Sequence, residues 1–264
     1  MFHIIYVLHL KKERMVLHMY DNVKLLTDSA ELSLSEIVRI TKIDGLGPVV
    51  AAVNTTQIGL NPGARFDSAH VDYRNIVIEF YIISSVADNL NELYSVIQTG
   101  SKIVFLLNNK FADGHVESIE IDRTNNPVKG QISIICPNPV FYSEAKNVSL
   151  SASDFISYAG NQTTGFKLYL TAKTAVKNPY ISINANKKTK KSVLNITLTA
   201  GDVLELNSES GQKSASISNK KVYPYTGAFI WPELQPGDNS ITVGAESGTV
   251  TAKIMYSEKF AALV

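Results

Sequence analysis

The stretch IDGLGPVVAAVNTTQIGLNPGARFDS, residues 43–68, has the glycine content of a phosphate-binding loop. In such loops glycines let backbone amides surround an anion. A Walker loop needs Lys-Ser/Thr after its last glycine, and a dinucleotide fingerprint needs three glycines. Here the lysine is missing, Val50 stands at the third glycine position, and Pro48 removes an amide donor. We therefore interpret this stretch as a turn or bulge between strands and predict no nucleotide site.

The histidines do not form a metal-binding pattern. His70 and Asp72 are alternate residues, so on a strand they share a face. A zinc site needs three or four convergent ligands, and no H-E-x-x-H array is present. His115 falls at the predicted tip of a hairpin. We interpret both histidines as surface residues and predict neither a metal nor a cofactor.

Three acidic residues are the remaining candidates for catalysis. Glu117, Glu120 and Asp122 could supply a pair of glycosidase carboxylates. A strand with its polar side in water gives the same pattern, and no G-x-S-x-G elbow indicates a serine hydrolase. We predict that the protein is not an enzyme and has no catalytic residue.

A dense basic run, NKKTKK at residues 186–191, is joined in sequence by Lys220 and Lys221. One interpretation is contact with a polyanion, such as a cell-wall teichoic acid or nucleic acid. The other, which we favour, is a solvated hairpin between two strands.

The segment KVYPYTGAFIWPEL brings Tyr223, Tyr225, Phe229 and Trp231 close together in the sequence. Such aromatic side chains can stack on sugar rings. They are equally ordinary in the core of a small β-domain. The sequence favours the core, with Trp231 as the buried member, and leaves saccharide contact through Tyr223, Tyr225 and Trp231 as the alternative.

Composition narrows the class of protein. With 264 residues and 45% hydrophobic content the chain can bury a large core, and 25 basic residues nearly balance 24 acidic ones. This balance does not indicate specific nucleic-acid binding or attraction to an anionic membrane. Cys136 is the single cysteine, which excludes an intrachain disulfide. No apolar run has the length of a membrane span, so we predict no membrane insertion.

The elements that would position these residues are mostly strands. The first half contains β-branched and aromatic runs, and one amphipathic helix follows Asp88, a candidate N-cap, with Gly100 just beyond its end. After CPNPVFYS the sequence becomes rich in Ser, Thr and Asn, with many short strands separated by turn signals. This spacing is typical of a β-sandwich or jelly roll.

We therefore predict a mainly β protein of two domains, residues 19–145 and 146–264. Residues 1–18 are a separate N-terminal extension. HIIYVLHL followed by KKER reverses the order of a secretory signal, and translation from Met15 or Met19 is an alternative start.

The order of these features resembles the distal tail proteins of long-tailed bacterial viruses and prophages, the siphovirus-type tail component. The resemblance covers residues 19–257. It is carried by IDGLGP, NPGAR, RNIVIEFYI, LNELYSVIQTG, GQISIICPNPVFYS and FIWPELQPGDNSITV, of which CPNPVFY and L-x-P-G-D-N-x-I are the most telling.

This resemblance implies a β-sandwich-like first domain with one α-helix, which forms a hexameric ring at the virion tail tip after assembly in the bacterial cytoplasm. It implies a galectin-like second domain that projects outward. The implied partners are the tail tube protein, a tail-associated hub or lysin protein, and receptor-binding or baseplate proteins. The runner-up function is an adhesion module that recognises host cell-wall saccharide through the second domain.

A ring needs two complementary patches on each subunit. We expect the IDGLGP stretch and the long loop at residues 53–67 to contribute to them, because a long glycine-punctuated loop is otherwise hard to justify in a compact domain. The expected contact residues are Gly45, Gly47, Pro48, Asn61, Gly63 and Arg65.

Overall fold

The computed structural model describes residues 20, 22–59, 62–225 and 229–263. The chain forms two compact units. Unit 1 runs up to Tyr142 and also contains the residues from Ala261 onward, whereas unit 2 is Ser143–Phe260. The N-terminal extension predicted at residues 1–18 lies outside the described residues.

Unit 1 is built on one antiparallel sheet with the strand order β2-β1-β7-β8-β9-β6-β3, and β10 pairs with β8. The strands β4 and β5 pair only with each other. The strands of unit 1 are β1 (Lys24–Leu26), β2 (Glu31–Ser33), β3 (Arg39–Asp44), β4 (Ala51–Gln57), β5 (Ala64–Val71), β6 (Arg74–Ile82), β7 (Lys102–Leu107), β8 (Lys110–Asp122), β9 (Val128–Cys136) and β10 (Phe141–Tyr142).

The centre of this sheet follows from side-chain alternation in β6. Ile76, Ile78 and Phe80 are fully buried, and the residues between them are more exposed. Period-two alternation places one set of side chains on one face of a strand. The buried residues Ile132 and Ile134 of β9 lie directly opposite Ile78 and Ile76, so apolar pairs cross the sheet in register.

Two helices accompany the sheet, α1 (Leu34–Ile37) and α2 (Val86–Val96). The second is the predicted amphipathic helix, and it buries Leu90 and Leu93. Its N-cap is Ser85, in a left-handed conformation, and not the predicted Asp88, which lies in the first turn. The neighbouring Asn89 side chain donates to the carbonyl of Ile37 at 2.8 Å, which ties the start of α2 to the end of α1.

Unit 2 contains two antiparallel sheets with the orders β11-β21-β13-β17-β18-β19 and β12-β20-β14-β15, and β16 pairs with β14. The strands of unit 2 are β11 (Lys146–Leu150), β12 (Ser153–Tyr158), β13 (Lys167–Ala172), β14 (Val176–Ala185), β15 (Lys188–Val193), β16 (Thr197–Leu198), β17 (Val203–Asn207), β18 (Ser214–Ile217), β19 (Lys220–Lys221), β20 (Gly237–Ser247), β21 (Val250–Tyr256) and β22 (Lys259–Phe260).

The two sheets of unit 2 share one hydrophobic core. It includes Leu168, Leu170 and Leu206 from the first sheet and Ile181 and Ile241 from the second, all fully buried. Alternating strands that each bury one face account for this arrangement. The predicted fold class, mainly β with a C-terminal sandwich, is confirmed.

In the part of the chain that the structure describes, no helix is long and apolar enough to cross a membrane.

Candidate subunit-contact surface

The glycine-rich stretch that suggested a phosphate loop instead surrounds a cation. Arg74, the first residue of β6, is 1% exposed. Its Nη1 donates to the carbonyl of Gly47 at 2.6 Å and also to the carbonyl of Gly45. A phosphate cradle presents amide donors, whereas this loop presents carbonyl acceptors, so its polarity is opposite to that of an anion site.

Two further carbonyls complete the shell around Arg74. Its Nε donates to the carbonyl of Pro139 at 2.8 Å and its Nη2 to that of Ala261 at 2.6 Å. The guanidinium carbon lies 4.2 Å from the centroid of the Phe141 ring. Burial lowers the pKa of Arg74, and the four carbonyls and the ring face offset part of that desolvation.

Gly45 is required at its position for two reasons. Its φ is +84°, a left-handed conformation, and a Cβ there would lie 2.0 Å from the main-chain oxygen of Asn75. Gly47 has open space around it, since a Cβ added there would have no neighbour within 4 Å. Pro48 is exposed beyond it. At the turn predicted here, the backbone at Gly45 also lies close to the backbone at Asn75.

The prediction of a long loop at residues 53–67 is wrong, because the chain forms a β-hairpin there. β4 and β5 pair over their length, and we call this hairpin the arm. Gly63, with φ +110°, precedes β5, and Arg65 lies on β5 with its Nε 3.0 Å from Asp67 Oδ1. Asn61 lies outside the described residues.

The arm is amphipathic. Ala51 pairs with Val71 and Val53 with Ala69, so these four side chains share one face. A bulge after Asn54 shifts the register so that Thr55 opposes Phe66, which brings Phe66 to the same face. The other face carries Asn54, whose side chain donates to Ser68 at 3.0 Å.

The apolar face of the arm is not covered by unit 1. Val53 is 57% exposed, Phe66 63% and Val71 53%. An isolated two-stranded hairpin is marginal in water, and large exposed apolar groups in one place mark an interaction surface. Arg74 connects the two ends of the arm. It lies three residues after the last residue of β5 and binds carbonyls of the segment that leads into β4.

The residues considered as metal ligands, His70 and Asp72, and those considered for catalysis do not converge on a site. His70 Nε2 lies 3.4 Å from Asp72 Oδ1 on the exposed arm. Glu117 accepts a hydrogen bond from Ser133 at 2.7 Å. Asp122 accepts hydrogen bonds from Thr124, which lower the pKa of this carboxyl. Across the residues described, no group of three or more His, Cys, Asp or Glu side chains is placed to hold a metal ion.

The aromatic segment of unit 2 forms a cluster at its surface. The rings of Tyr225, Phe229 and Trp231 lie within 5.1–5.3 Å of one another, and Tyr223 is 6.4 Å from Tyr225. Trp231 is partly buried against the core rather than enclosed by it, and Tyr223 is 67% exposed. The interpretation of Trp231 as a buried core residue is therefore only half right.

The basic run at residues 186–191 is mostly a strand. Asn186 and Lys187 form the turn with positive φ, and Lys188, Lys190 and Lys191 belong to β15. β15 is the last strand of its sheet, and charged side chains on an edge strand oppose further strand pairing. Lysine is a poor signal for a strand because its β-propensity is low.

Residues 159–260 match the family described as siphovirus-type tail component, C-terminal domain. The family resemblance inferred from the sequence is thereby confirmed. No curated protein matches the chain.

Among solved structures, the fold is similar to the crystal structure of the Dit protein of phage SPP1, described as a paradigm of the hub adsorption apparatus in phages that infect Gram-positive bacteria. The TM-score is 0.69 at 12% identity, over 90% of this chain and 99% of that one. A chain of the phage P2 baseplate in its activated, calcium-bound conformation gives a TM-score of 0.43 at 10% identity, over 88% of this chain and 97% of that one. At 10–12% sequence identity, these comparisons show a similar fold and nothing further.

Proposed function

We propose, from the premise that residues 159–260 are a siphovirus-type tail component domain, that the protein is a structural component of a phage or prophage tail tip. In this proposal it forms a hexameric ring that joins the tail tube to a hub or lysin protein and to receptor-binding or baseplate proteins. Residues 19–145 form the ring, and residues 146–264 face outward as an attachment domain. The similarity of fold to a phage hub protein supports this assignment.

The observation that carries the proposal is the exposed apolar face of the arm. Val53, Phe66 and Val71 expose apolar surface to water. Covering that surface would gain about 25 cal/mol for each Å² removed from water. The root of the arm is fixed by a buried arginine, so the arm has a defined direction. An exposed apolar hairpin anchored at its root is suited to docking on a neighbouring copy of the chain.

Docking of the arm on a neighbouring copy is compatible with a closed assembly. The arm of one subunit and the surface that receives it on the next are different patches, so the contact is heterologous. Heterologous contacts close into a ring when a whole number of repeated rotations returns to the first subunit, and otherwise they give an open filament. A hexamer satisfies that condition.

Electron microscopy of the purified protein at high concentration tests the ring. The expected result is six-fold rings with a central channel. Phe66→Glu should abolish them and leave the melting temperature unchanged, because Phe66 is 63% exposed. Phe155→Glu is the matched control, since Phe155 is 62% exposed in unit 2 and makes the same change in charge. Monodisperse monomer at every concentration, or equal effects of the two variants, would refute the proposal.

A second variant tests the residues predicted from the sequence. Gly47→Asp with Arg65→Glu places charge at the root and on the polar face of the arm, and open space around Gly47 lets the variant fold. We expect a shift from hexamer to monomer in analytical ultracentrifugation. An unchanged assembly state would remove Gly47 and Arg65 from the contact, whatever the outcome for Phe66.

A further inference from the structure

The described residues 222–225 and 229–232 of unit 2 lie near the edge strands of its two sheets. β19 is the last strand of the first sheet and β15 the last strand of the second. Between them, the main-chain carbonyl of Pro224 accepts from Asn195, and that of Ile230 accepts from the Ser192 hydroxyl at 2.5 Å. Pro224 and Ile230 are thus both held beside β15, while Tyr223 follows closely after β19.

Lysines lie against the faces of these aromatic rings. Lys213 Nζ is 5.7 Å from the centroid of the Trp231 ring, and Lys221 Nζ is 5.3 Å from that of Tyr223. We define the aromatic–lysine patch as Lys213, Lys221, Tyr223, Tyr225, Phe229 and Trp231. Of the basic residues noted in the sequence, Lys221 belongs to this patch, whereas Lys191 lies 3.9 Å from the centroid of the Tyr180 ring instead.

From this patch we infer a binding site for an anionic polysaccharide on unit 2. Aromatic side chains present apolar faces to the C–H face of a sugar ring, and their polar tips remain in water. Ammonium groups beside them attract a sulfate, phosphate or carboxylate group as compact point charges. A ligand that carries both a sugar ring and a negative charge uses both halves of the patch.

The lysines are not explained by edge protection alone. Charged residues on β15 and β19 discourage strand addition, but that purpose requires no aromatic neighbour. Lys213 precedes β18 and still lies against Trp231. Contact between an ammonium group and a ring face is itself favourable, so the cluster and its charges are held together before a ligand arrives.

A polysaccharide fits better than a single-stranded nucleic acid. Nucleic-acid grooves combine many basic residues with aromatic side chains spaced so that successive bases stack separately. Here three of the rings pack on each other within 5.1–5.3 Å, and Glu233 places an acid 3.9 Å from Lys190 beside them.

The site contains its own reporter, because Trp231 is the single tryptophan of the chain. The full chain is titrated with dextran sulfate, dextran, polyphosphate and poly(dT), and the tryptophan emission is followed at low and high salt. Dextran sulfate should give a saturable change that weakens as salt screens the lysines. Dextran should bind about tenfold more weakly because it lacks the negative charge, and polyphosphate about tenfold more weakly because it lacks the sugar ring.

Variants distinguish binding at the patch from nonspecific attraction to lysines elsewhere on unit 2. Lys213→Gln with Lys221→Gln should weaken dextran sulfate binding about tenfold. Lys173→Gln with Lys253→Gln removes the same charge from exposed positions elsewhere on unit 2, since β21, which carries Lys253, is separated from β19 by three strands. That control should bind within about twofold of the unaltered protein. Tyr223→Ala should weaken dextran sulfate binding and leave the residual polyphosphate affinity unchanged.

Four results would overturn the inference. They are the absence of a saturable change with dextran sulfate, equal affinity for polyphosphate, equal or tighter affinity for poly(dT), and equal losses in the two lysine pairs. The inference does not depend on ring formation, since it concerns unit 2 alone. Assembly measured by ultracentrifugation on the same samples distinguishes failure of this site from failure of the proposed ring.

Discussion

The Arg74 guanidinium carbon lies 4.2 Å from the centroid of the Phe141 ring, while the guanidinium nitrogens donate to the carbonyls of Gly45, Gly47, Pro139 and Ala261. One side chain thus connects four segments of unit 1 that are far apart in the sequence. The root of the arm is therefore fixed by tertiary structure rather than by local turn chemistry.

Replacement of this arginine should be among the most destabilising single changes in unit 1. Arg74→Ala leaves several partly buried carbonyls without donors and empties a buried site, so we expect a loss of about 3 kcal/mol in the free energy of unfolding. Arg123→Ala, at an exposed position, should change it by less than about 0.5 kcal/mol. Urea unfolding monitored by circular dichroism measures both. Similar values for the two variants would show that the carbonyl shell contributes little.

Two neighbouring glycines should respond differently to the same change. Gly45→Ala places a Cβ 2.0 Å from the Asn75 oxygen in a left-handed conformation, so it should cost about 2 kcal/mol or more. Gly47→Ala meets open space and should be neutral to within about 1 kcal/mol. Thermal denaturation of the pair is the test. Equal costs would contradict the close approach at Gly45.

The Cys136 thiol should be a probe of global opening. It is fully buried opposite Arg74 in the register of β6 and β9, and burial raises its pKa to about 11. Reaction with iodoacetamide at pH 8 should therefore require unfolding. Arg74→Ala should accelerate it about 100-fold, in keeping with the loss of stability predicted above. Rapid labelling of the unaltered protein would mean that the thiol is accessible in the native state.

Alkaline pH should destabilise unit 2 through Tyr158. Its hydroxyl donates to the carbonyl of Gln162 at 2.7 Å and accepts from the amide of Lys259 at 2.8 Å, and burial raises its pKa to about 12. The unfolded tyrosine has a pKa of about 10. A raised folded pKa means that this stabilisation is complete below pH 10 and declines between about pH 10 and 12.

The variant Tyr158→Phe isolates this contribution. It should cost about 1 kcal/mol at pH 8, because two hydrogen bonds are lost. It should also show a shallower fall in unfolding free energy above pH 10 than the unaltered protein. Denaturant unfolding at pH 8, 10 and 11 measures the slopes. Parallel slopes would show that Tyr158 does not carry the alkaline sensitivity.

Sequence periodicity predicts the elements that alternate regularly. β6 alternates buried and more exposed residues without interruption, and its β-branched and aromatic run indicates a strand from sequence alone. The arm escapes such a prediction, because the bulge near Asp67 breaks the alternation of apolar residues in β5. Its Ala and Asn content is also poor in β-propensity.

The residue that organises the candidate site gives no signal in the sequence. Arg74 is bound by main-chain carbonyls, and any residue type can supply a carbonyl. The loop that it binds is conspicuous for its glycines, but these indicate only backbone shape. The patch on unit 2 is only partly visible in the sequence. Lys221 and Tyr223 are near neighbours in the chain, whereas only the fold brings Lys213 to Trp231.

The carbonyl of Ala261 in the shell of Arg74 has a consequence for biosynthesis. The strands of the unit 1 sheet from β1 to β9 are translated before any of unit 2, but this acceptor is translated after all of it. During the synthesis of the more than 100 residues of unit 2, Arg74 therefore lacks the carbonyl of Ala261 as an acceptor. The full carbonyl shell at the root of the arm can therefore form only after residue 261 has been synthesised.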